Sequence, residues 1–142
     1  MIIAMRTLFL ATGNTLRGDD GAAPEVIRMI RPAAGRQLRA VQQLTPELAE
    51  EMARFDCVVF LDADVAATEV KIEPVGSALR GPLLAHVATP AEIVALSRAL
   101  FGFVGAALLC RIPARQFGLA GSLSPGTRTF AEQAAEKLES FL

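Results

Sequence analysis

Three polar residues of this sequence together have the side-chain types of a metal site: Asp20, Asp62 and His86. Asp20 follows a short apolar run and a Gly-Asn turn, Asp62 ends another apolar run, and His86 precedes a helix-start signal. Two carboxylates and one imidazole leave open positions on a bound divalent cation. This ligand set suits zinc, nickel or iron(II) better than an ion that prefers oxygen ligands alone. The residues therefore predict a metal-recognising site.

Alternating strand and helix patterns must bring these residues together. Apolar and alternating runs predict strands over Thr7–Thr12, Gln37–Gln42, Asp56–Asp62, Thr68–Val75 and Ala106–Ile112. Helical spacing and start signals predict helices over Ala22–Arg31, from Thr45-Pro46 to Arg54, from the capping box Thr89–Glu92 to Leu100, and from Ser124-Pro125 through Phe141. Ser77–Val87 is predicted to be a loop.

This order of elements predicts an α/β fold. We expect a three-layer sandwich in which helices flank a mostly parallel central sheet of about five strands, with right-handed crossovers. Strands joined by a βαβ unit run parallel, so the first and third strands should deliver Asp20 and Asp62 to the same end of the sheet. Ligands of open α/β sheets bind at that end. His86 should return to it before the third helix begins.

Each of the three residues also has a structural interpretation. Asp19 or Asp20 can cap the first helix, where a carboxylate favours the helix dipole. Asp62 can accept hydrogen bonds from loop amides. His86 is the only histidine of the chain, and a single histidine is usually an ordinary surface residue. These alternatives stay open at the level of sequence.

Several other chemistries are disfavoured. The Gly-Asn turn lacks both a G-x-G-x-x-G motif and a P-loop lysine, and the adjacent aspartates would repel phosphate, which argues against dinucleotide binding. Ser122 and Ser124 lie in Gly-Ser-Leu-Ser-Pro, which is not a nucleophile elbow, so a Ser-His-Asp hydrolase is not expected. Cys57 and Cys110 lie in apolar runs without Cys-x-x-Cys spacing and are predicted to be core thiols.

Bulk composition limits the class of protein. The 142 residues are 52% hydrophobic and 20% charged, with a net charge of −1, which fits one domain (1–142) with a large core. No basic stripe indicates nucleic-acid binding, and no apolar run is long enough to cross a membrane. The N-terminal apolar run lacks a basic region and a cleavage-like stretch, so we expect a cytoplasmic protein.

The chain resembles the hydrogenase maturation proteases over essentially its whole length. The resemblance rests on the order and spacing of four motifs: Gly13-Asn14 followed by Asp19-Asp20-Gly21, then Phe60-Leu61-Asp62-Ala63, then His86 ahead of Thr89-Pro90, and a late Gly-Ser-Leu-Ser-Pro. Two positions depart from the common pattern. Ala11 replaces the first glycine of Gly-x-Gly-Asn, and Gln42-Gln43-Leu44 replaces an Asp-Gly-Gly-like stretch. The latter looks like the His-Gln-Leu variant of proteases that serve soluble, NAD(P)-linked hydrogenases.

That resemblance implies an endopeptidase that trims the C-terminal peptide of a nickel–iron hydrogenase large-subunit precursor after nickel insertion. It implies that Asp20, Asp62 and His86 contact the nickel of the substrate and support catalysis, with no tightly bound cofactor of the protein's own. Gln42, Gln43 and Leu44 would help to select the precursor, although a plain strand-to-helix connection is the alternative. We expect a monomer. The rival interpretations are a non-enzymatic metal-sensing or accessory module and a small-ligand or nucleotide-binding domain.

Overall fold

The computed structural model describes residues 5–76 and 88–141. Its elements follow the predicted order and have these bounds: β1 Thr7–Thr12, a 3-10 turn Gly18–Gly21, α1 Ala22–Met29, β2 Arg36–Val41, α2 Leu48–Met52, β3 Cys57–Asp64, β4 Lys71–Pro74, α3 Pro90–Phe101, β5 Ala106–Pro113 and α4 Pro125–Phe141. His86 and the predicted loop Ser77–Val87 lie outside the described residues.

The five strands form one sheet in the order β2-β1-β3-β5-β4. Strands β2, β1, β3 and β5 run parallel to one another. Strand β4 lies at the edge of the sheet and pairs with β5 in the antiparallel direction. This arrangement confirms the predicted α/β sandwich with a mostly parallel sheet. The parallel strands all end on the same side, called here the carboxyl end of the sheet.

Alternating side chains of the strands build a hydrophobic layer on each face. Phe9 and Val59 pack with α1 and α4 on one face, whereas Leu10 and Phe60 pack with α2 and α3 on the other. These side chains are almost completely buried. Burial of each contributes roughly 1.5–3 kcal/mol of hydrophobic free energy, which keeps the strand ends in place.

The two thiols belong to the first of these layers. Cys57 and Cys110 are both buried and unbridged, which confirms the prediction of core thiols. Burial raises the pKa of Cys57, and it raises that of Cys110 to about 12. Both therefore stay protonated and behave as small hydrophobes.

Helix boundaries differ from the prediction at two places. α1 ends at Met29, before the predicted Arg31, because Pro32 disfavours helical backbone at the residue that precedes it and Ile30 is already extended. α2 begins at Leu48 without the predicted Thr45 cap. The amides of Leu48 and Ala49 bond to carbonyls three residues earlier, so a tighter turn occupies the expected first helical turn.

The third helix begins as predicted. The Thr89 hydroxyl accepts a bond of 3.2 Å from the Glu92 amide, and the Glu92 carboxylate accepts one of 3.0 Å from the Thr89 amide. This reciprocal capping box fixes the point at which the chain enters α3. Within residues 5–76 and 88–141, no helix is long and apolar enough to cross a membrane.

Candidate functional site

The turn after β1 holds Asp20 close to the strand end. Gly13 has φ +149°, and a Cβ at this position would meet the backbone oxygen of Asp20 at 1.9 Å, so only glycine permits the approach. The Asn14 amide donates a hydrogen bond of 2.7 Å to Asp20 Oδ2. The Asn14 side-chain oxygen in turn accepts from the Leu16 amide at 2.9 Å. A compact turn therefore orients the Asp20 carboxylate.

Neither aspartate caps the first helix. The residue at the N-cap of α1 is Gly21, and no side chain bonds to the helix amides there. The capping interpretation of Asp19 and Asp20 is therefore wrong, because both carboxylates have other partners. The Asp20 carboxylate accepts a hydrogen bond from the backbone amide of Asn14, just after β1. The Asp19 carboxylate accepts one from the backbone amide of Arg115, in the connection between β5 and α4.

Asp62 lies near the end of β3, beside the end of β1. The register pairs Ala11 with Leu61, and the Thr12 hydroxyl lies 3.2 Å from Asp62 Oδ1 and 3.4 Å from the Leu61 carbonyl. Partial desolvation of its carboxylate raises the pKa of Asp62, and the negative charges of Asp20 and Asp64 add to this increase. Hydrogen bonds from Thr12 and from the Ala63 amide oppose it.

Asp20 and Asp62 lie at the ends of neighbouring strands, because the turn after β1 holds Asp20 and β1 pairs with β3. The structure thus brings two of the three predicted site residues to the same end of the sheet. The third, His86, lies outside the described residues. Among the residues described, no three His, Cys, Asp or Glu side chains are grouped closely enough to hold a metal ion. The three-residue metal set therefore remains a prediction.

A cavity of about 250 Å³ opens beside Asp62 at the carboxyl end of the sheet. Its lining joins the end of β1, the connection after β2, the end of β3, the start of α3 and the middle of β5. The described lining residues are Thr12, Gln42, Gln43, Leu44, Phe60, Leu61, Asp62, Ala88, Thr89, Pro90 and Leu109. A carboxylate thus stands at the wall of a largely apolar cavity.

The predicted substrate-selection residues line the same cavity. Gln42 and Gln43 are exposed, whereas Leu44 is buried and accepts a bond of 3.1 Å from the Ala88 amide through its carbonyl. Gln42 and Gln43 can therefore contact a bound molecule, while Leu44 ties the connection to the start of α3. Their role in selecting a precursor remains a prediction.

Sequence reasoning did not assign a role to Asp19 beyond capping. Its side chain is completely buried and accepts five hydrogen bonds of 2.7–2.9 Å, from the amides of Arg115, Gln116 and Ser124 and from the hydroxyls of Ser124 and Thr127. Burial disfavours the charged form, but these donors hold the pKa of Asp19 well below its usual range. The only local signal was a second aspartate beside Asp20.

Ser124 directly precedes α4, at the position predicted for its cap, and its carbonyl accepts a bond of 2.9 Å from the Arg128 amide. Its hydroxyl and its amide, in addition, both donate to Asp19. The late Gly-Ser-Leu-Ser-Pro motif therefore anchors the turn that carries Asp20.

No protein-family model and no curated protein matches the sequence. Solved structures, however, are similar over almost the whole chain. A nickel–iron hydrogenase maturation protease, HycI, from Thermococcus kodakarensis superposes with a TM-score of 0.75 at 19% identity, covering 96% of this chain and 91% of that one. The hydrogenase maturating endopeptidase HybD of E. coli gives a TM-score of 0.74 at 20% identity, covering 97% and 92%.

HybD of Thermococcus kodakarensis, another nickel–iron hydrogenase maturation protease, gives a TM-score of 0.66 at 24% identity and covers 96% of this chain and 99% of that one. The chain has the hydrogenase maturation protease fold. The resemblance noted in the sequence is thus confirmed in the architecture. At these identities the likeness concerns the fold, so the activity has to be argued from the site.

Proposed function

We propose that this protein is an endopeptidase that removes the C-terminal peptide of a nickel-loaded hydrogenase large-subunit precursor. In this proposal Asp20, Asp62 and His86 contact the nickel of the substrate. The ion belongs to the precursor and serves as the feature by which the protease recognises a mature metal centre.

One observation carries the proposal: within this fold, Asp62 lines a cavity at the carboxyl end of the sheet that is large enough for part of a peptide, and Asp20 lies in the turn after the neighbouring strand β1. Two neighbouring carboxylates repel each other, and a divalent cation between them would relieve that repulsion. Carboxylate oxygens and an imidazole nitrogen also suit nickel. The donor chemistry therefore fits the expected substrate.

The chain itself supplies orientation at this site. The Asn14 amide fixes Asp20 from one side, and the Thr12 hydroxyl fixes Asp62 from the other. A nickel ion carried by the substrate can polarise a carbonyl or lower the pKa of a bound water. The apolar wall formed by Phe60 and Leu109 reduces the access of bulk solvent, which strengthens electrostatic interactions at the cavity.

Precursor selection is assigned to the connection after β2. Gln42 and Gln43 present two amide groups at the cavity, and each amide can both donate and accept hydrogen bonds. An extended peptide offers the complementary backbone groups. We expect substitution of Gln42 or Gln43 to change the preference among precursors and to leave the fold intact.

The test is a gel-shift cleavage assay with a large-subunit precursor, with and without inserted nickel. We expect a shift in mobility only with nickel, and we expect Asp62→Asn and His86→Ala to abolish it while the variants stay folded. Asp64→Asn is the matched control, because this carboxylate lies on the same strand but pairs with Arg111 at 3.7 Å. Asp64→Asn should retain cleavage.

Three outcomes would contradict the proposal in whole or in part. Cleavage of nickel-free precursor at the same rate would remove nickel from recognition. Binding of the nickel-loaded precursor without cleavage would instead indicate a non-enzymatic accessory module. Retained cleavage by His86→Ala would exclude this histidine from the mechanism.

A further inference from the structure

We propose that Asp19 is a positioning residue that holds Asp20 in its working orientation by locking the turn after β1 to the connection between β5 and α4. This inference rests on the proposed function for the meaning of Asp20, but its geometric part can be tested without substrate. Asp19 itself is completely buried and does not line the cavity.

The donors to Asp19 come from two places in the fold. Three are backbone amides of the β5–α4 connection, those of Arg115, Gln116 and Ser124, at 2.7–2.9 Å. Two are hydroxyls at the start of α4, those of Ser124 and Thr127, both at 2.8 Å. The Thr127 hydroxyl also lies 3.1 Å from the Pro113 carbonyl, at the end of β5. One carboxylate thus bonds to residues near both ends of the connection between β5 and α4.

Backbone bonds reinforce this attachment. The Asp19 amide donates to the Gln116 carbonyl at 2.7 Å, and the Gly18 amide donates to the Ala120 carbonyl at 2.9 Å. The Ala120 amide donates back to the Leu16 carbonyl at 3.2 Å. The turn is therefore held along residues 16–19 by a segment distant in sequence. Asp20, the next residue, is fixed on this side by Asp19 and on the strand side by Asn14.

The bonds to Asp19 stabilise the fold and also fix the geometry of the turn. Three of the donors are main-chain amides, which no substitution of Asp19 removes and which need an acceptor when they are buried. Five donors that converge on one side chain also define a single orientation of the turn. The turn residues Asp19 and Asp20 share one short 3-10 turn, so an error in the first displaces the second. A displacement of about 1 Å at a catalytic group can lower a rate on the order of a hundredfold.

The variants separate positioning from stability. Thr127→Val removes one hydroxyl donor while keeping the shape of the side chain, and Thr127→Ser restores it. Ser97→Ala is the stability control, since the buried Ser97 hydroxyl bonds to the Ala49 carbonyl at 2.6 Å between α2 and α3 and touches neither Asp19 nor the cavity. Asp19→Asn changes the acceptor itself and should have a larger effect on Asp20. If Asp19→Asn does not fold, Thr127→Val and Thr127→Ser still test the inference.

The first readout is the backbone amide of Asn14, followed by NMR in the free protein. If Asp19 positions Asp20, Thr127→Val should shift this amide signal and speed its hydrogen exchange roughly tenfold, because its acceptor is displaced. Thr127→Ser should behave as the native chain. Ser97→Ala should leave the chemical shift and the exchange rate of the Asn14 amide unchanged, even if it lowers the melting temperature as much as Thr127→Val does. Equal changes in Asn14 for Ser97→Ala and Thr127→Val would overturn the inference.

The second readout is cleavage of the nickel-loaded precursor. We expect Thr127→Val to lower kcat by tenfold to on the order of a hundredfold with little change in KM, and Ser97→Ala to alter neither. Unchanged kcat in Thr127→Val, with its Asn14 signal displaced, would also overturn the inference. A native chain that cuts no precursor would contradict the proposed function alone, because the Asn14 measurement would still decide whether Asp19 orients Asp20.

Discussion

Asp19 and Asp62 are the same side chain at the same end of the sheet, but their surroundings are opposite. Asp19 is completely buried and accepts five hydrogen bonds, and its pKa lies well below the usual range. Asp62 is exposed, with the Thr12 hydroxyl as its side-chain partner, and its pKa is raised by partial desolvation and by two neighbouring carboxylates.

The difference teaches that burial does not by itself decide the charge of a carboxylate. The number of donors aimed at it matters more, because hydrogen bonds to the charged form can outweigh desolvation. Asp19, which is saturated with donors, cannot take a further ligand and serves to organise the site. Asp62 keeps free lone pairs beside a cavity, which is the condition for binding a cation.

The comparison between Asp19 and Asp62 predicts its largest difference in the free energy of unfolding. Asp19→Ala leaves five donors without their acceptor in a buried site, so we expect it to lower the free energy of unfolding by about 3–5 kcal/mol. Asp62→Ala should change it by less than about 1 kcal/mol, since its carboxylate is exposed. Urea unfolding of both variants measures this contrast. Equal losses would remove the distinction.

Acid should act mainly through Asp19. Because its folded pKa is lowered, its contribution to stability is complete above its unfolded pKa of about 4 and is lost as the pH falls toward the folded value. Unfolding measured from pH 7 down to about pH 2 should therefore show a steep loss of stability. The loss should be shallower in Asp19→Asn than in Glu139→Gln, a control whose carboxylate also has a lowered pKa. A steeper loss in Asp19→Asn would contradict the assignment.

The charge of Asp62 should affect the pH dependence of stability in the opposite direction to that of Asp19. Its folded pKa is raised, so its charged form opposes folding at neutral pH and this penalty disappears below its unfolded pKa. Asp62→Asn is therefore expected to stabilise the protein at pH 7 by less than about 1 kcal/mol, since solvent screens an exposed charge. Thermal unfolding at pH 7 and pH 3 would show a gain only at the higher pH. Destabilisation at pH 7 would show that its charge is favourable.

The smallest effect is expected at Thr12. Thr12→Val removes the hydroxyl that lies 3.2 Å from Asp62 Oδ1, so the pKa of Asp62 should rise further. Stability should fall by only about 0.5 kcal/mol, the low end of the usual net contribution of a hydrogen bond, because this bond is exposed. NMR titration of the Asp62 carboxyl carbon measures the shift, and Thr12→Ser should restore the native value. An unchanged pKa in Thr12→Val would show that this hydroxyl does not orient Asp62.

Local patterns allowed the prediction of most of the fold. Strand β1 and the capping box of Thr89 and Glu92 depend on residues close in sequence, and both have the predicted form. The predicted start of α2 was wrong because a tight turn takes the place of the Thr45 cap. Local sequence does not distinguish these two ways of beginning the helix. Asp20 and Asp62 were placed together by topology alone, since parallel strands end on one side.

The role of Asp19 could not be predicted in this way. Its partners lie in the β5–α4 connection and the first turn of α4, and nothing in their sequence marks them as donors to an aspartate near the start of the chain. The pair Asp19-Asp20 looked like two candidates for one helix cap. Only the three-dimensional arrangement separates the residue that organises the turn from the residue that faces the site.

The long span of the Asp19 bonds has a consequence for synthesis. They join residues 96 to 108 positions apart, so the ribosome adds the donors long after the acceptor. At roughly 5–20 residues per second, this delay is on the order of 5–20 seconds. A nascent chain that ends before Ser124 has no complete anchor for the turn that bears Asp20. The turn that bears Asp20 therefore acquires its full anchor only after Thr127 has been synthesised, and shorter nascent chains carry an unassembled site.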